Sequence, residues 1–446
     1  MANLFRGAST TETPADDKTS NKNRPVGQIP LRGWLTAPAT RRVIDALTAR
    51  GTEMRFVGGC LRDTLLGRET EDIDIATPEP PEAVMALLEE AGIKALPTGI
   101  AHGTVTAIVE GQRFEITTLR RDVETFGRRA HVAFTDDWLE DAKRRDFTFN
   151  ALSATPDGQI FDPFNGIADL ASGWVRFIGR AEQRIDEDAL RILRFFRFFA
   201  WLGHPPVDAD ALQACRLKAE ALRTLSGERI WGEMKKLLRA PEPAATLVLM
   251  QGEHILAQIL PEALNFGALR QLTFLETRGL VRDSIAADSL RRLAILIEGG
   301  REAARAVAKR FRLSKRQADR LAVLADPPCS IGPDLDLRQA RRLLHQLGAD
   351  RFRDLLLINW ARRRAAGTRR EMTRESGVWH GLLDHADVWT PRTLPIGGRD
   401  LILLGHEPGP SLGALLAALE SWWIDEDFQP DRDRILEKAH DLTRTP

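Results

Sequence analysis

The sequence contains no tyrosine. Any stacking role must therefore fall to phenylalanine, tryptophan, histidine or arginine. Cysteine is nearly as scarce: Cys60, Cys215 and Cys329 stand far apart. Three such residues exclude a disulfide framework and do not space as a zinc site, so a reduced compartment suits the chain. No apolar run reaches the length of a membrane span. The first residues lack the basic-then-apolar order of a secretory signal. The expectation is a cytoplasmic protein with no membrane partner. Net charge is missing as well, since 63 basic residues balance 63 acidic ones. Composition alone therefore names no polyanionic partner, and any basic surface must arise by local segregation. No internal repeat recurs at a fixed period.

What is present changes character along the chain. At 446 residues it is too long for one core, so several domains are expected. Residues 1–30 are mostly Thr, Ser, Asn, Asp, Lys and Pro, and read as a loose tail. From Leu31 to about Phe161, strand-like pieces ("EMRFVGG", "EDIDIA", "GTVTAIVEG", "QRFEITTLR") alternate with helix-like ones ("LRDTLLG", "PEAVMALLEEAG"). Pro81 near the start and Gly92 at the end bracket the second helix. After about Gly173, periodic helices follow one another, with breaks near "APEPAA", "ADPPCSIGPD" and "LPIGGRD". The fold class expected is α+β: a small mixed α/β head on one sheet, then an all-α remainder.

Four segments carry chemistry. Gly58-Gly59-Cys60-Leu61-Arg62-Asp63 follows a strand and opens a helix. Glycines there let a ligand approach the backbone, and helix-start N–H groups face an anion. Arg62 in the first turn could reach a phosphate oxygen. A double glycine alone, however, is usually just a turn. In Glu71-Asp72-Ile73-Asp74-Ile75 the acids alternate with isoleucines, so a strand would place Asp72 and Asp74 on one face. Such a pair suits divalent cations in phosphoryl transfer, Mg²⁺ above all. The alternative is a solvated edge strand, although aspartate is a poor strand former. Glu115 in "RFEITTLR" is either a third carboxylate or an ion-pair partner of Arg113 or Arg120. The run from Arg144 through Arg145 to Asn150 suits triphosphate or sugar contacts, or is a helix end with surface arginines. On one helix, Asp188, Arg191, Arg194 and Arg197 recur every three residues as a drifting stripe. Most charge stripes face water. This helix is apolar over most of its surface, which favours a cleft.

Taken together, "GGCLRD", "EDIDIA", "RRDFTFNAL", "IFDPFNGIADL" and "EDALRILRFFRF" resemble the bacterial class II tRNA nucleotidyltransferases, the CCA-adding enzymes, in a group that includes bacterial poly(A) polymerases. "GPSLGALLAALESWW" looks like that family's tail region. The resemblance implies a nucleotidyltransferase head at 31–172, a neck with base recognition at 173–245, and an RNA-binding body at 246–370 and tail at 371–446. It implies transfer of C, C and A from CTP and ATP to the 3′ end of tRNA without a nucleic-acid template. Carried over by position, Asp72 and Asp74 hold Mg²⁺; Gly58 and Gly59, with Arg62 and Arg145, meet the triphosphate. Asp188 and Arg191 read the base, and Arg194 and Arg197 complete the pocket. Physical chemistry favours that base-reading pair. Cytosine and adenine both set an amino donor beside a ring-nitrogen acceptor, which a carboxylate and a guanidinium match. Uracil and guanine present the reverse order and would leave buried polar groups unpaired.

The segment from Arg121 to Asp136 looks like the flexible loop of full CCA-adding enzymes, which argues against a CC-only activity. A poly(A) polymerase is the nearest competitor, but its "GRRF" block after the acidic strand is missing. A non-catalytic RNA-binding relative would have lost a metal carboxylate or the base-reading arginine, and neither is lost. A signalling-nucleotide hydrolase would need a His/Asp metal cluster that His102 and the scattered other histidines do not supply. For the RNA, Arg301, Arg305, Lys309, Arg310, Arg312, Lys315, Arg316 and Arg320 form one basic stretch. Arg362, Arg363, Arg364, Arg369 and Arg370 form another. None of these motifs specifies an oligomeric state.

Overall fold

The computed structural model describes residues 23–444 except 71, 127, 128 and 281. The chain divides into two compact units. One holds the described residues up to Leu225 together with Gly252–Gln258; the other holds Ser226–Gln251 and the described residues from Ile259 onward.

The first unit is built on an eight-stranded sheet. Its strands are β1 (Pro25–Gln28), β2 (Arg55–Val57), β3 (Ile73–Thr77), β4 (Lys94–Gly99), β5 (Thr104–Val109), β6 (Gln112–Thr118), β9 (Ser153–Ala154) and β10 (Gln159–Phe161). Their spatial order is β1-β10-β9-β2-β3-β6-β5-β4. Part of the expected loose tail is thus an edge strand: Gly27 pairs with Ile160, and Ile29 is buried. A polar, proline-bearing stretch can form a strand at a sheet edge, where only one side needs partners. Residues 1–22 of that expected tail lie outside the described residues.

Alternation does in β3 what its sequence requires. Ile73 and Ile75 point into the core with Phe56, Val105 and Phe114, where α1 (Pro38–Thr48) and α3 (Pro81–Glu90) contribute Val43, Leu47, Val84 and Leu88. Asp74 takes the opposite face. Helix α3 starts with Pro81 in its first turn, and the chain leaves it through Gly92 at φ 66°. Strands β5 and β6 are joined by Glu110 and Gly111, both at positive φ, which is the two-residue hairpin turn.

Strands β7 (Arg120–Phe126) and β8 (Arg129–Phe134) form a separate two-stranded ribbon. The described backbone of the segment expected as a flexible loop is therefore paired from Arg120↔Phe134 to Phe126↔Arg129, with a register shift between Asp122 and Glu124. Helix α2 (Gly59–Leu65) follows β2 directly, and α4 (Trp138–Lys143) follows the ribbon. Asp137 caps α4 by accepting from the Leu139 N–H at 2.8 Å. Helices α5 (Gly166–Ser172), α6 (Ala181–Glu187), α7 (Leu190–Leu202) and α8 (Ala209–Leu217) complete the unit.

The second unit is helical in its named elements. A buried charge cluster ties its helices together. Arg292, fully buried, donates to Glu276 at 2.5 Å and to the carbonyls of Leu238 and Ala240 at 2.6 and 2.7 Å. Arg291 donates to Glu276 at 2.7 Å and Asp354 at 2.8 Å. Near the C-terminus, Leu419, Trp423, Phe428 and Ile435 form a small core of their own. No described helix is long and apolar enough to cross a membrane.

Candidate active site

The turn between β2 and α2 forms one wall. Gly58 sits at φ 72°, a conformation L side chains rarely adopt. A Cβ there would lie 3.3 Å from the Asp74 carboxylate and 3.7 Å from the Arg145 guanidinium. A Cβ on Gly59 would lie 3.6 Å from Arg62. The glycines, Asp74, Arg62 and Arg145 therefore meet at one spot. Cys60, beside them, is no nucleophile: it is buried, its thiol is pushed up to about 12 by that burial, and it donates to the Val57 carbonyl.

Asp74 is the electrostatic centre. Burial, with Glu115 next and Asp72 adding, raises its carboxyl to about 6, against the opposing pull of Arg145 and Arg62. Strands β3 and β6 run parallel, with Asp74 opposite Glu115, which puts that third carboxylate beside it. Asp72 is exposed and stands one residue before the strand. Neither Asp72 nor Asp74 forms an ion pair among the described residues. A half-buried carboxylate held near other acids without a salt-bridge partner among the described residues fits a divalent cation. Among the described residues no three His, Cys, Asp or Glu side chains converge as a preformed cage. An ion on Asp72 and Asp74 would thus complete its shell with water and substrate oxygens, as Mg²⁺ commonly does.

The arginines are held largely by acids to which sequence patterns gave no role: Asp63, Asp141 and Asp146. Asp141 in α4 accepts from Arg144 at 2.7 Å and from Arg145 at 3.0 Å. Burial alone would raise its carboxyl, but Arg145 and Arg144 outweigh burial and hold it below the usual range. It also accepts from the Arg120 N–H at the base of the ribbon, at 3.3 Å. Arg62 forms a two-point pair with Asp63 at 3.0 and 2.9 Å and donates to the Asn150 side chain at 3.3 Å. The Asn150 amide donates to Asp146 at 2.8 Å, and Arg194 donates to the same Asp146 at 2.5 Å. A continuous chain of polar contacts therefore runs from α2 to α7.

The "IFDPFNGIADL" segment supports this chain from behind. Asp162 accepts from the Gly166 and Ile167 N–H groups at 2.7 and 2.9 Å, and Asp169 accepts from Thr148 at 2.7 Å. A Cβ on Gly166 would lie 2.4 Å from the Thr148 carbonyl oxygen. Only glycine permits that approach.

One expectation needs correcting. Asp188 is not part of a continuous helical stripe. Helix α6 ends at Glu187, Asp188 has extended backbone angles, and α7 begins at Leu190. The Asp188 carboxylate accepts from the Leu190 N–H at 3.1 Å, opening the second helix. Arg191 donates to Glu187, to the Arg184 carbonyl at 2.9 Å and to the Arg144 carbonyl at 3.1 Å. Arg197 lies over the Phe198 ring. A cavity of about 640 Å³ lined by Trp174, Arg176, Arg180 and Asp208 opens elsewhere on this unit and contains none of these residues.

In the second unit, the basic stretches are partly structural. Arg301 pairs with Asp326, Arg310 with Glu262, Arg312 with Glu228, and Arg320 with Asp288 and Asp354. Arg363 pairs with Glu375, and Arg364 donates to Gln271. Arg305, Lys309, Lys315 and Arg316 are exposed.

Residues 54–176 match a family model described as the poly A polymerase head domain, and residues 206–266 match one described as a probable RNA and SrmB binding site of polymerase A. The mitochondrial CCA tRNA nucleotidyltransferase 1 of Mus musculus is 34% identical over 417 residues, 92% of this chain and 91% of the relative. The CCA-adding enzyme of Levilactobacillus brevis is 33% identical over 395 residues, 85% of this chain and 91% of the relative. The crystal structure of the Bacillus stearothermophilus CCA-adding enzyme in complex with CTP superposes with a TM-score of 0.70 at 29% identity, covering 92% of this chain and 98% of that one.

Proposed function

Because the chain belongs to the family of CCA tRNA nucleotidyltransferases, we propose that it completes the 3′ end of tRNA by adding C, C and A from CTP and ATP, with Asp72 and Asp74 at the reacting centre. The observation that carries the reading is the meeting of Gly58, Arg62, Asp74 and Arg145 where β2 ends and β3 begins. Gly58 and Gly59 leave room for a triphosphate, and Arg62 and Arg145 draw its oxygens toward the carboxylates. Mg²⁺ held by Asp72 and Asp74 would supply the positive charge that activates the 3′-hydroxyl and stabilises the leaving pyrophosphate. Asp188 offers an acceptor for the amino group, and Arg191 a donor for the ring nitrogen, that cytosine and adenine share, with Glu187 fixing Arg191. Arg194 and Arg197 close the pocket. Exposed Arg305, Lys309, Lys315 and Arg316 are candidates for tRNA phosphates in the body, with the tail from residue 371 as a further contact. The three cysteines are free, which suits the cytoplasm.

The test is tRNA ending before CCA, incubated with each nucleotide alone and with both, read by product length. CTP alone should add two residues. ATP should add one residue, and only to tRNA already ending in CC. A long ladder with ATP alone would instead identify a poly(A) polymerase, the activity named in the head-domain match.

A further inference from the structure

Phe198 is surrounded by three guanidinium groups. The central carbon of Arg197 lies 3.9 Å from the ring centroid, that of Arg62 5.3 Å and that of Arg194 5.5 Å. Arg62 comes from α2 and the other two from α7, so one phenyl ring is where cations from separate segments gather. The ring is buried. Phe147 and Phe149 meet it nearly at right angles, at 5.3 and 5.2 Å between centroids. Those two contacts fix its plane.

Like charges gathered this closely repel. Asp63 offsets part of the charge at Arg62, and Asp146 part of that at Arg194. A carboxylate that holds arginines together also repels an incoming polyanion. An aromatic face attracts cations through its quadrupole and carries no net charge. It can gather arginines and leave their attraction for phosphate undiminished.

We propose that Phe198 is a positioning residue, whose ring assembles Arg62, Arg194 and Arg197 into one cluster for the polyphosphate of the incoming nucleotide. This rests on the reading of those arginines as nucleotide contacts. The quadrupole, rather than the volume of the side chain, is the property at work.

The experiment replaces Phe198 in the full chain with mono-, di- and trifluorophenylalanine, which weaken the negative face of the ring stepwise at nearly constant volume. The readouts are KM for CTP and ATP, inhibition by inorganic tripolyphosphate, kcat, KM for tRNA, and the melting temperature. Nucleotide KM and the tripolyphosphate inhibition constant should rise with each fluorine, by about three- to tenfold in total. The kcat, the tRNA KM and the melting temperature should stay nearly constant. Phe198→Leu should show the full loss of nucleotide affinity. A loss in Phe198→Leu with a flat fluorine series would reduce the residue to packing and overturn the proposal. So would an unchanged nucleotide KM in every variant. Arg62→Ala is the separate control. If it leaves tripolyphosphate inhibition unchanged, the reading of the arginines fails first, independently of Phe198.

Discussion

Asp74 and Glu115 stand opposite each other on parallel strands, and after burial their proximity is the next cause that raises the Asp74 carboxyl to about 6. Two acids placed this way cost the fold stability unless a cation offsets their repulsion.

The sign of that cost can be checked by pH. Asp74 binds its proton more tightly folded than unfolded, so folding is favoured below about 3.8 and loses that contribution as pH rises through about 6. Without divalent metal, Asp74→Asn should therefore melt a few degrees above wild type at pH 8, with the gap closing toward pH 4. The same variant should lose nearly all transfer of both CMP and AMP. Near-wild-type turnover would remove Asp74 from the reaction.

Glu115→Gln removes a neighbouring negative charge. The acid limb of the rate profile should move to lower pH, because Asp74 then ionises more easily. The Mg²⁺ concentration for half-maximal rate should rise about tenfold, roughly the effect of one lost charge interaction of about 1.4 kcal/mol. A titration of rate against Mg²⁺ at two pH values reads both effects, and no movement in either would make Glu115 a bystander.

Asp141→Asn should act on two arginines at once. Arg144 and Arg145 would lose a nearly buried counter-ion, at a cost of about 3–5 kcal/mol in urea unfolding. Burial raises the Asp141 carboxyl but its arginines lower it by more, so the stability it contributes is present above the ordinary aspartate range and is lost as pH falls below it. The difference between wild type and variant should consequently shrink in strong acid. Urea midpoints at pH 7 and pH 3 would show it.

Arg191→Ala should blur selection among the four nucleotides by about ten- to a hundredfold, the worth of one or two charge-assisted hydrogen bonds. Glu187→Gln, which loosens Arg191 without removing it, should do the same more weakly. Single-nucleotide incorporation on trimmed tRNA gives the comparison. An equal slowing of all four nucleotides would make Arg191 a structural arginine.

Local pattern made much of this legible. Ile73 and Ile75 announce a strand by alternation, Pro81 and Gly92 mark the ends of α3, and Gly58 announces a tight approach to something. What stayed hidden depends on residues far apart in sequence. Nothing near Arg310 shows that Glu262 neutralises it, and nothing near Arg320 shows Asp354. Periodicity also carried the arginine stripe back through Asp188, because a helix that stops and restarts within two residues barely disturbs a count of three. Asp141 escaped notice for the opposite reason: one aspartate in a short polar helix looks like ordinary surface until both arginines are seen turning back to it.

The pairing of β1 with β10 has a practical side. A chain trimmed to begin at Leu31 would keep every residue assigned to chemistry. It would also strip the outermost strand and bare the hydrogen-bonding rim of β10 to solvent. Unpaired rims invite a second copy to add its own strand. Such a shortened protein could be catalytically intact on paper and still be lost to aggregation in the tube.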